Sequence, residues 1–155
     1  MNLSKDIRNA RRVYLCGNGG SAANANHIAN DLVLSCGVDA ESLCANVASL
    51  TAAANDFGYY NCFAKQIENR IGPGDLLIVL SGSGASPNTH MALETARGKG
   101  AKTYAILGAR AVQSQAAKLA DVAMCQGRDM QAAEEAQLEI GHEIMRDLRC
   151  APSAA

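Results

Sequence analysis

The sequence predicts an α/β fold, a three-layer sandwich in which helices cover both faces of a parallel sheet. Two apolar runs, Val13 to Cys16 and Asp75 to Leu80, lack the polar alternation of half-exposed strands and therefore resemble buried ones. Segments rich in helix formers separate such runs along the chain. Both runs end in turns rich in glycine and serine, at 17–20 and 81–87, and a helix pattern follows each turn. The predicted sheet is therefore flavodoxin-like.

The first elements follow in order. Met1 to Arg12 is expected to form a short helix, and Val13 to Cys16 the first strand. Ser21 follows the glycine turn and is the expected N-cap of a helix over Ala22 to Ser35. A weak strand is expected at Ser42 to Ala45.

The remaining elements alternate in the same way. Ala48 to Arg70 is expected to be one broken helix or two, interrupted near Gly58. The later elements are the strand over Asp75 to Leu80, a helix over Asn88 to Gly98, strands over Thr103 to Leu107 and Asp121 to Cys125, and a long helix over Met130 to Leu148.

Length and composition indicate one domain over 1–150 with a frayed tail at 151–155. The net charge of −1 and the four Tyr, two Phe and no Trp argue against nucleic-acid binding, which needs cations and exposed aromatics. The apolar runs are too short for a membrane span or a signal segment. The six cysteines form no CxxC pair, which favours reduced thiols and a cytoplasmic location.

The two turns are the candidate binding elements. Glycines between a strand and a helix let the backbone approach an anion, and helix amides then point at it. In the second turn Ser81, Ser83 and Ser86 add hydroxyls, and Pro87 is the expected first helical residue. The alternatives are an ordinary tight turn at 17–20 and a solvated serine loop at 81–87. The first turn fits neither a P-loop nor a dinucleotide fingerprint.

Three segments together resemble the phosphoheptose isomerases, a family with the SIS domain fold: CGNGGSAANANHIANDLV, LTAAANDFGYYNCFAKQI and GPGDLLIVLSGSGASPN. The resemblance runs from about residue 12 to residue 150. It implies isomerisation of sedoheptulose 7-phosphate to a heptose phosphate for lipopolysaccharide synthesis, by a homotetramer. Ser81, Ser83 and Ser86 would then hold the phosphate, while Asn18, Gly19 and Ser21 would line the sugar site.

Departures from the family pattern fall on chemically important positions. The helix after the first turn carries His27 and Asp31, where the family has His and Glu four residues apart. Gln137 stands where the family's last helix has a His, and Asn46 where it has an Asp in a loop. We expect Gln137 and Asn46 to contact the substrate. The N-terminal extension that contributes to tetramer packing in the family is nearly absent.

Aldose–ketose isomerisation needs a base and an acid. Asp31 is the first candidate for the base, and His27 for its acidic partner or a metal ligand, with Glu134 and Glu135 as further carboxylates. Some family members use zinc. With Asp31 in place of Glu and Gln137 in place of His, this chain keeps one strong zinc ligand, so a full site from one chain is not expected. His142 is expected to point away from the Gln137 face and to be structural or interfacial.

Two hypotheses remain open from the sequence. The first is a phosphosugar isomerase, supported by the phosphate turns and by the His27 and Asp31 pair. The second is a binding or protein-interaction module without turnover, supported by the substitutions at Gln137 and Asn46. A homo-oligomer is expected in either case.

Overall fold

A computed structural model describes residues 3–150, so the tail expected at 151–155 lies outside the described residues. Five parallel strands form one sheet in the order β2-β1-β3-β4-β5. The strands are β1 (Val13–Gly17), β2 (Ala40–Ser42), β3 (Leu76–Ser81), β4 (Lys102–Leu107) and β5 (Val122–Cys125). This order confirms the flavodoxin-like prediction, because the chain reverses its direction of travel across the sheet between β1 and β3.

Helices follow or precede each strand. They are α1 (Leu3–Asn9), α2 (Gly20–Cys36), α3 (Val47–Phe57), α4 (Ala64–Ile67), α5 (Pro87–Gly98), α6 (Gln115–Leu119) and α7 (Met130–Cys150). The broken helix is confirmed, since Gly58 with φ 82° separates α3 from a short 3-10 turn at Tyr59–Asn61 and from α4. The second strand was predicted at Ser42 to Ala45 and lies at Ala40–Ser42 instead.

Successive strand residues alternate between two apolar clusters, one on each face of the sheet. In β3, for example, Leu76, Ile78 and Leu80 face one cluster and Leu77 and Val79 face the other. The first cluster also contains the apolar residues of α1, α2 and α7, and the second those of α4, α5 and α6. Both faces are buried, which explains why the strands are apolar throughout. Within residues 3–150, no helix is long and apolar enough to cross a membrane.

Helices α2 and α7 lie side by side on the same face of the sheet. Gly20 lies against Glu134, and Ile28 lies against Gly141, so later residues of one helix meet later residues of the other. The two helices therefore run parallel. A Cβ at Gly141 would lie 2.5 Å from Cγ1 of Ile28, so the close approach of the helices requires glycine at this point.

Candidate active site

The two glycine- and serine-rich turns lie next to each other at the carboxyl edge of the sheet. They follow β1 and β3, which pair in parallel register from Val13 with Leu76 to Gly17 with Leu80. In open α/β sheets, ligands bind at this edge, at the point where the strand order reverses. The structure thus brings together the two turns that the sequence singled out separately.

The first turn differs in detail from the prediction. Gly19, with φ 57° and ψ −124°, is the N-cap of α2, and the helix begins at Gly20. The expectation that Ser21 is the N-cap is therefore wrong, because glycine can adopt this backbone conformation and starts the helix earlier. Ser21 is instead buried, and a Cβ at Gly17 would lie 2.8 Å from its Cβ. Asn18 is half-buried and Gly19 exposed.

The helix after the second turn starts as predicted. Ser86 is the N-cap of α5, Pro87 is the first helical residue, and no side chain caps this helix. The Oγ atoms of Ser81 and Ser83 accept hydrogen bonds from the amides of Gly84 (3.0 Å) and Ala85 (3.2 Å). Each hydroxyl keeps its proton for donation to another group. The uncapped start of α5 and the serine protons together make this turn suitable for an anion.

Two asparagines connect the turns. The amides of Asn18 and Asn88 exchange two hydrogen bonds of 2.9 Å, one in each direction. Asn18 Oδ1 also accepts from the hydroxyl of Tyr59 at 2.8 Å. Asn88 is buried, and sequence reasoning missed it. Its only signal in the sequence was a polar residue in the first turn of a helix, and its partner Asn18 lies 70 positions away.

Three thiols lie beneath these turns and are poor nucleophiles. Cys44 donates to the carbonyl of Gly17 at 3.4 Å, and Cys62 accepts from Asn88 Nδ2 at 3.5 Å. Burial raises the pKa of Cys16, Cys44 and Cys62. A higher pKa disfavours the thiolate, and none of the three forms a disulfide, in agreement with the expectation of reduced thiols.

The contact between α2 and α7 begins at the first turn. A Cβ at Gly20 would overlap the carboxylate of Glu134, which therefore lies against the first residue of α2. Asn24 donates to the Glu134 carbonyl at 2.8 Å and to Gln137 Oε1 at 3.2 Å. Gln137 is fully buried and also donates to the carbonyl of Ile106 at 3.5 Å. Its amide thus connects the two helices to the sheet, and its expected contact with substrate stays a prediction.

The imidazoles of His27 and His142 and the carboxylate of Asp31 lie close together where α2 packs against α7. The Nε2 atoms of His27 and His142 are 3.1 Å apart. Asp31 Oδ2 lies 3.3 Å from His27 Nε2 and 3.9 Å from His142 Nε2. The sequence predicted the pair on α2 but placed His142 outside the site. Only the packing of α2 against α7 brings together residues that are 115 positions apart.

Asn46 has a clear local role. It is the N-cap of α3, and its Oδ1 accepts from the amide of Ser49 at 3.1 Å. The residue follows β2, the neighbour of β1, and is exposed. Its side chain thus lies at the ligand-binding edge of the sheet, while its contact with substrate stays a prediction.

Among known protein families, a model of the SIS domain matches residues 2–108 of this chain. The chain belongs to the SIS domain family. It is similar to a phosphoheptose isomerase of Sulfurimonas denitrificans, 40% identical over 143 residues, which cover 88% of this chain and 72% of that protein. A phosphoheptose isomerase of Chlorobaculum parvum is 44% identical over 113 residues, 68% of this chain. These aligned residues span about half of that relative, 54% of its length.

Solved structures show the same likeness. A phosphoheptose isomerase from Neisseria gonorrhoeae aligns with a TM-score of 0.85 at 26% identity, over 96% of this chain and 82% of that one. One from Francisella tularensis also aligns with a TM-score of 0.85 at 26% identity, over 94% and 81% of the two chains.

The side chains of His27, Asp31 and His142 fit a zinc ion. One ligand atom from each of His27, Asp31 and His142 lies within 4.8 Å of the other two. Ligands at about 2.0 to 2.1 Å in a tetrahedron lie about 3.3 to 3.4 Å from one another, close to the 3.1 and 3.3 Å separations at His27. Three protein ligands with a fourth open position is the pattern of catalytic zinc. The structure thus adds His142 to the candidate ligands, while the expectation that one chain does not form a full zinc site stays a prediction.

Proposed function

We propose that this protein is a phosphosugar isomerase that interconverts an aldose and a ketose, acting on sedoheptulose 7-phosphate or a close relative. The observation that carries the proposal is the layout of the site. The two turns rich in glycine and serine lie at the carboxyl edge of the sheet, and the cluster of His27, Asp31 and His142 lies further along α2. A 7-phosphate carries its phosphate at the opposite end from the reacting carbons C1 and C2, so its isomerase needs such a separation.

The phosphate would bind at the start of α5. The protons of Ser81, Ser83 and Ser86 would donate to the phosphate, and the dipole of this 12-residue helix favours negative charge there. Asn18 and Gly19 would lie along the sugar. Specific polar contacts of this kind orient the substrate without a net positive charge on the protein.

Glu134 is the carboxylate best placed to move the proton. Asp31 is held beside two imidazoles, whereas in the described part of the chain no Lys, Arg or His nitrogen lies within 4.0 Å of the Glu134 carboxylate. The Cα atoms of Gly20 and His27 are separated by about 10 Å along α2, at 1.5 Å per residue. Helical side chains lean toward the helix N-terminus, so His27 and His142 lean toward Glu134. The sugar carbons would occupy the space between them.

The imidazoles and Asp31 would serve the oxygens of C1 and C2. Without metal, an imidazole N–H would donate to the carbonyl oxygen and thereby stabilise the negative charge of the enediolate. When zinc is bound by His27, Asp31 and His142, it supplies Lewis-acid polarisation of the same oxygens. In both cases Glu134 would take a proton from one carbon, exchange it with solvent and deliver a proton to the next carbon.

Phosphorus NMR of sedoheptulose 7-phosphate with the purified protein, with and without added zinc, tests the proposal. We expect a new sugar-phosphate resonance that grows with time. Glu134→Gln should leave the substrate line shifted by binding but remove the new resonance. A substrate line that never changes in shift, width or intensity would overturn the proposal.

The rival function, a binding module without turnover, rested on the substitutions at Gln137 and Asn46. The first of these loses weight, because His142 places an imidazole beside His27 where α7 packs against α2. A shifted substrate line with no product for the unmodified protein would restore the rival.

We also infer a cytoplasmic homo-oligomer. In α3, only Ala53 is buried, although the helix and the turn after it carry large apolar side chains: Val47, Phe57, Tyr59 and Tyr60 are each about half exposed or more. A second copy could cover this surface. Analytical ultracentrifugation tests the assembly, and a monomer at micromolar concentration would contradict it.

A further inference from the structure

The hydrogen bonds around Asn18 have a consequence for how the site recognises its ligand. Asn18 Oδ1 accepts from Tyr59 (2.8 Å) and from Asn88 Nδ2 (2.9 Å), so both of its lone pairs are used. One proton of Asn18 Nδ2 is donated to Asn88 Oδ1. Among the hydrogen bonds of the described residues, the Asn18 side chain has its second Nδ2 proton left to donate.

The orientation of Asn88 is fixed in turn. Its Nδ2 donates to Asn18 Oδ1 and to Cys62 Sγ, and its Oδ1 accepts from Asn18. The side chain is buried, so water does not compete for these bonds. Asn88 is also the second residue of α5, so the amide pair fixes the start of α5 relative to the turn after β1.

We propose that Asn88 and Tyr59 are positioning residues that hold the Asn18 amide with its N–H directed to an oxygen of the bound sugar phosphate. This inference rests on the proposed function, since it names how the same site selects its ligand. The subsite at Asn18 is then a donor subsite. It accepts an anionic, carbonyl or ether oxygen, and it disfavours a group that can only donate.

Positioning through Asn18 predicts complete coupling between the two asparagines. Asn88→Ala frees the Asn18 amide to rotate and should weaken binding of sedoheptulose 7-phosphate about tenfold, the usual effect of one hydrogen bond to a charged or strongly polar group. Asn18→Ala should weaken it to the same extent. The double variant should be no weaker than either single one, because Asn88 has no action once Asn18 is gone.

Calorimetric affinity for sedoheptulose 7-phosphate tests this in the full chain, with Asn69→Ala as a matched control at an exposed asparagine outside the site. Tyr59→Phe is a milder variant that removes one donor to Asn18 and keeps the ring, so it tests the same network if Asn88→Ala is poorly folded. We expect a weakening of about threefold to tenfold for Tyr59→Phe.

The outcomes separate this inference from the proposed function. Wild-type affinity in both Asn88→Ala and Tyr59→Phe, or losses that add in the double variant, would overturn the positioning role while the proposed function stands. No binding by the unmodified protein would overturn both. As an independent readout, NMR should show the Nδ2 proton that Asn18 donates to Asn88 exchanging slowly with solvent in the unmodified protein and fast in Asn88→Ala or Tyr59→Phe. Fast exchange in the unmodified protein would contradict the network itself.

Discussion

Replacing Gly20 by alanine should reduce activity without reducing stability. The added Cβ would overlap the carboxylate of Glu134, which is the far end of a flexible side chain and can move away. Alanine in a helix is favoured over glycine by about 0.5 to 1 kcal/mol. Moving a carboxylate away from a helix N-terminus costs about 0.3 to 1 kcal/mol. The two effects oppose each other, so the free energy of unfolding should change by less than about 1 kcal/mol.

Activity should respond differently, because Glu134 would no longer reach the sugar carbons. A positioned acid or base contributes about 10²- to 10⁴-fold to the rate, so a displaced one should lower kcat at least about tenfold. KM should change little, since the phosphate turns are untouched. Phosphorus NMR time courses give kcat and KM, and urea denaturation gives the stability.

Gly98→Ala is the matched control for Gly20→Ala. Gly98 is also helical, and no heavy atom lies within 4 Å of the position a Cβ would take. This variant should gain stability and keep full activity. Wild-type kcat in Gly20→Ala, or a kcat loss of the same size in Gly98→Ala, would refute the role assigned to Glu134.

Three further predictions follow from single contacts. Ser83→Ala removes an exposed hydroxyl of the second turn and should weaken binding of phosphate ligands about tenfold in calorimetry, whereas unchanged affinity would take Ser83 out of the site. Gly141→Ala places a Cβ 2.5 Å from Ile28 Cγ1 and should destabilise the fold by about 1 to 3 kcal/mol in urea, and wild-type stability would contradict the tight α2–α7 packing. The hydrogen bonds from Lys102 and Tyr104 lower the pKa of Asp6 in the folded protein. The stability that Asp6 contributes to the fold is therefore present above about pH 4, and it is lost as pH falls through the folded-state pKa. Asp6→Asn should therefore flatten the acid limb of the stability curve, and an unchanged slope would contradict the interaction.

The sheet was largely predictable, because β1 and β3 are buried on both faces and so are apolar at every position. The short edge strand β2 was not, since Ala-Glu-Ser carries no apolar pattern and is a strand through its pairing with β1. Helix α6 was missed because five residues are too few to show a helical period. Its one local signal is Ser114, whose hydroxyl caps the helix by accepting from the amide of Ala117.

The site was predictable where it consists of contiguous turns and was not where it depends on packing. Gln137 and His142 are five positions apart on α7, so the sequence placed them correctly on different faces. It could not tell which face meets the sheet and which meets α2. Gln137 lies under the sheet carbonyl of Ile106, and His142 lies beside His27. The two asparagines at 18 and 88 are likewise brought together only by the pairing of β1 with β3.

Proton NMR of the reaction in deuterated water tests the central claim most directly. An isomerase that moves the proton through an enediol with Glu134 as base should incorporate solvent deuterium at the carbon next to the new carbonyl, and Glu134→Gln should not. Incubation of sedoheptulose 7-phosphate with the zinc-supplemented protein that yields neither product nor deuterated substrate would contradict the account.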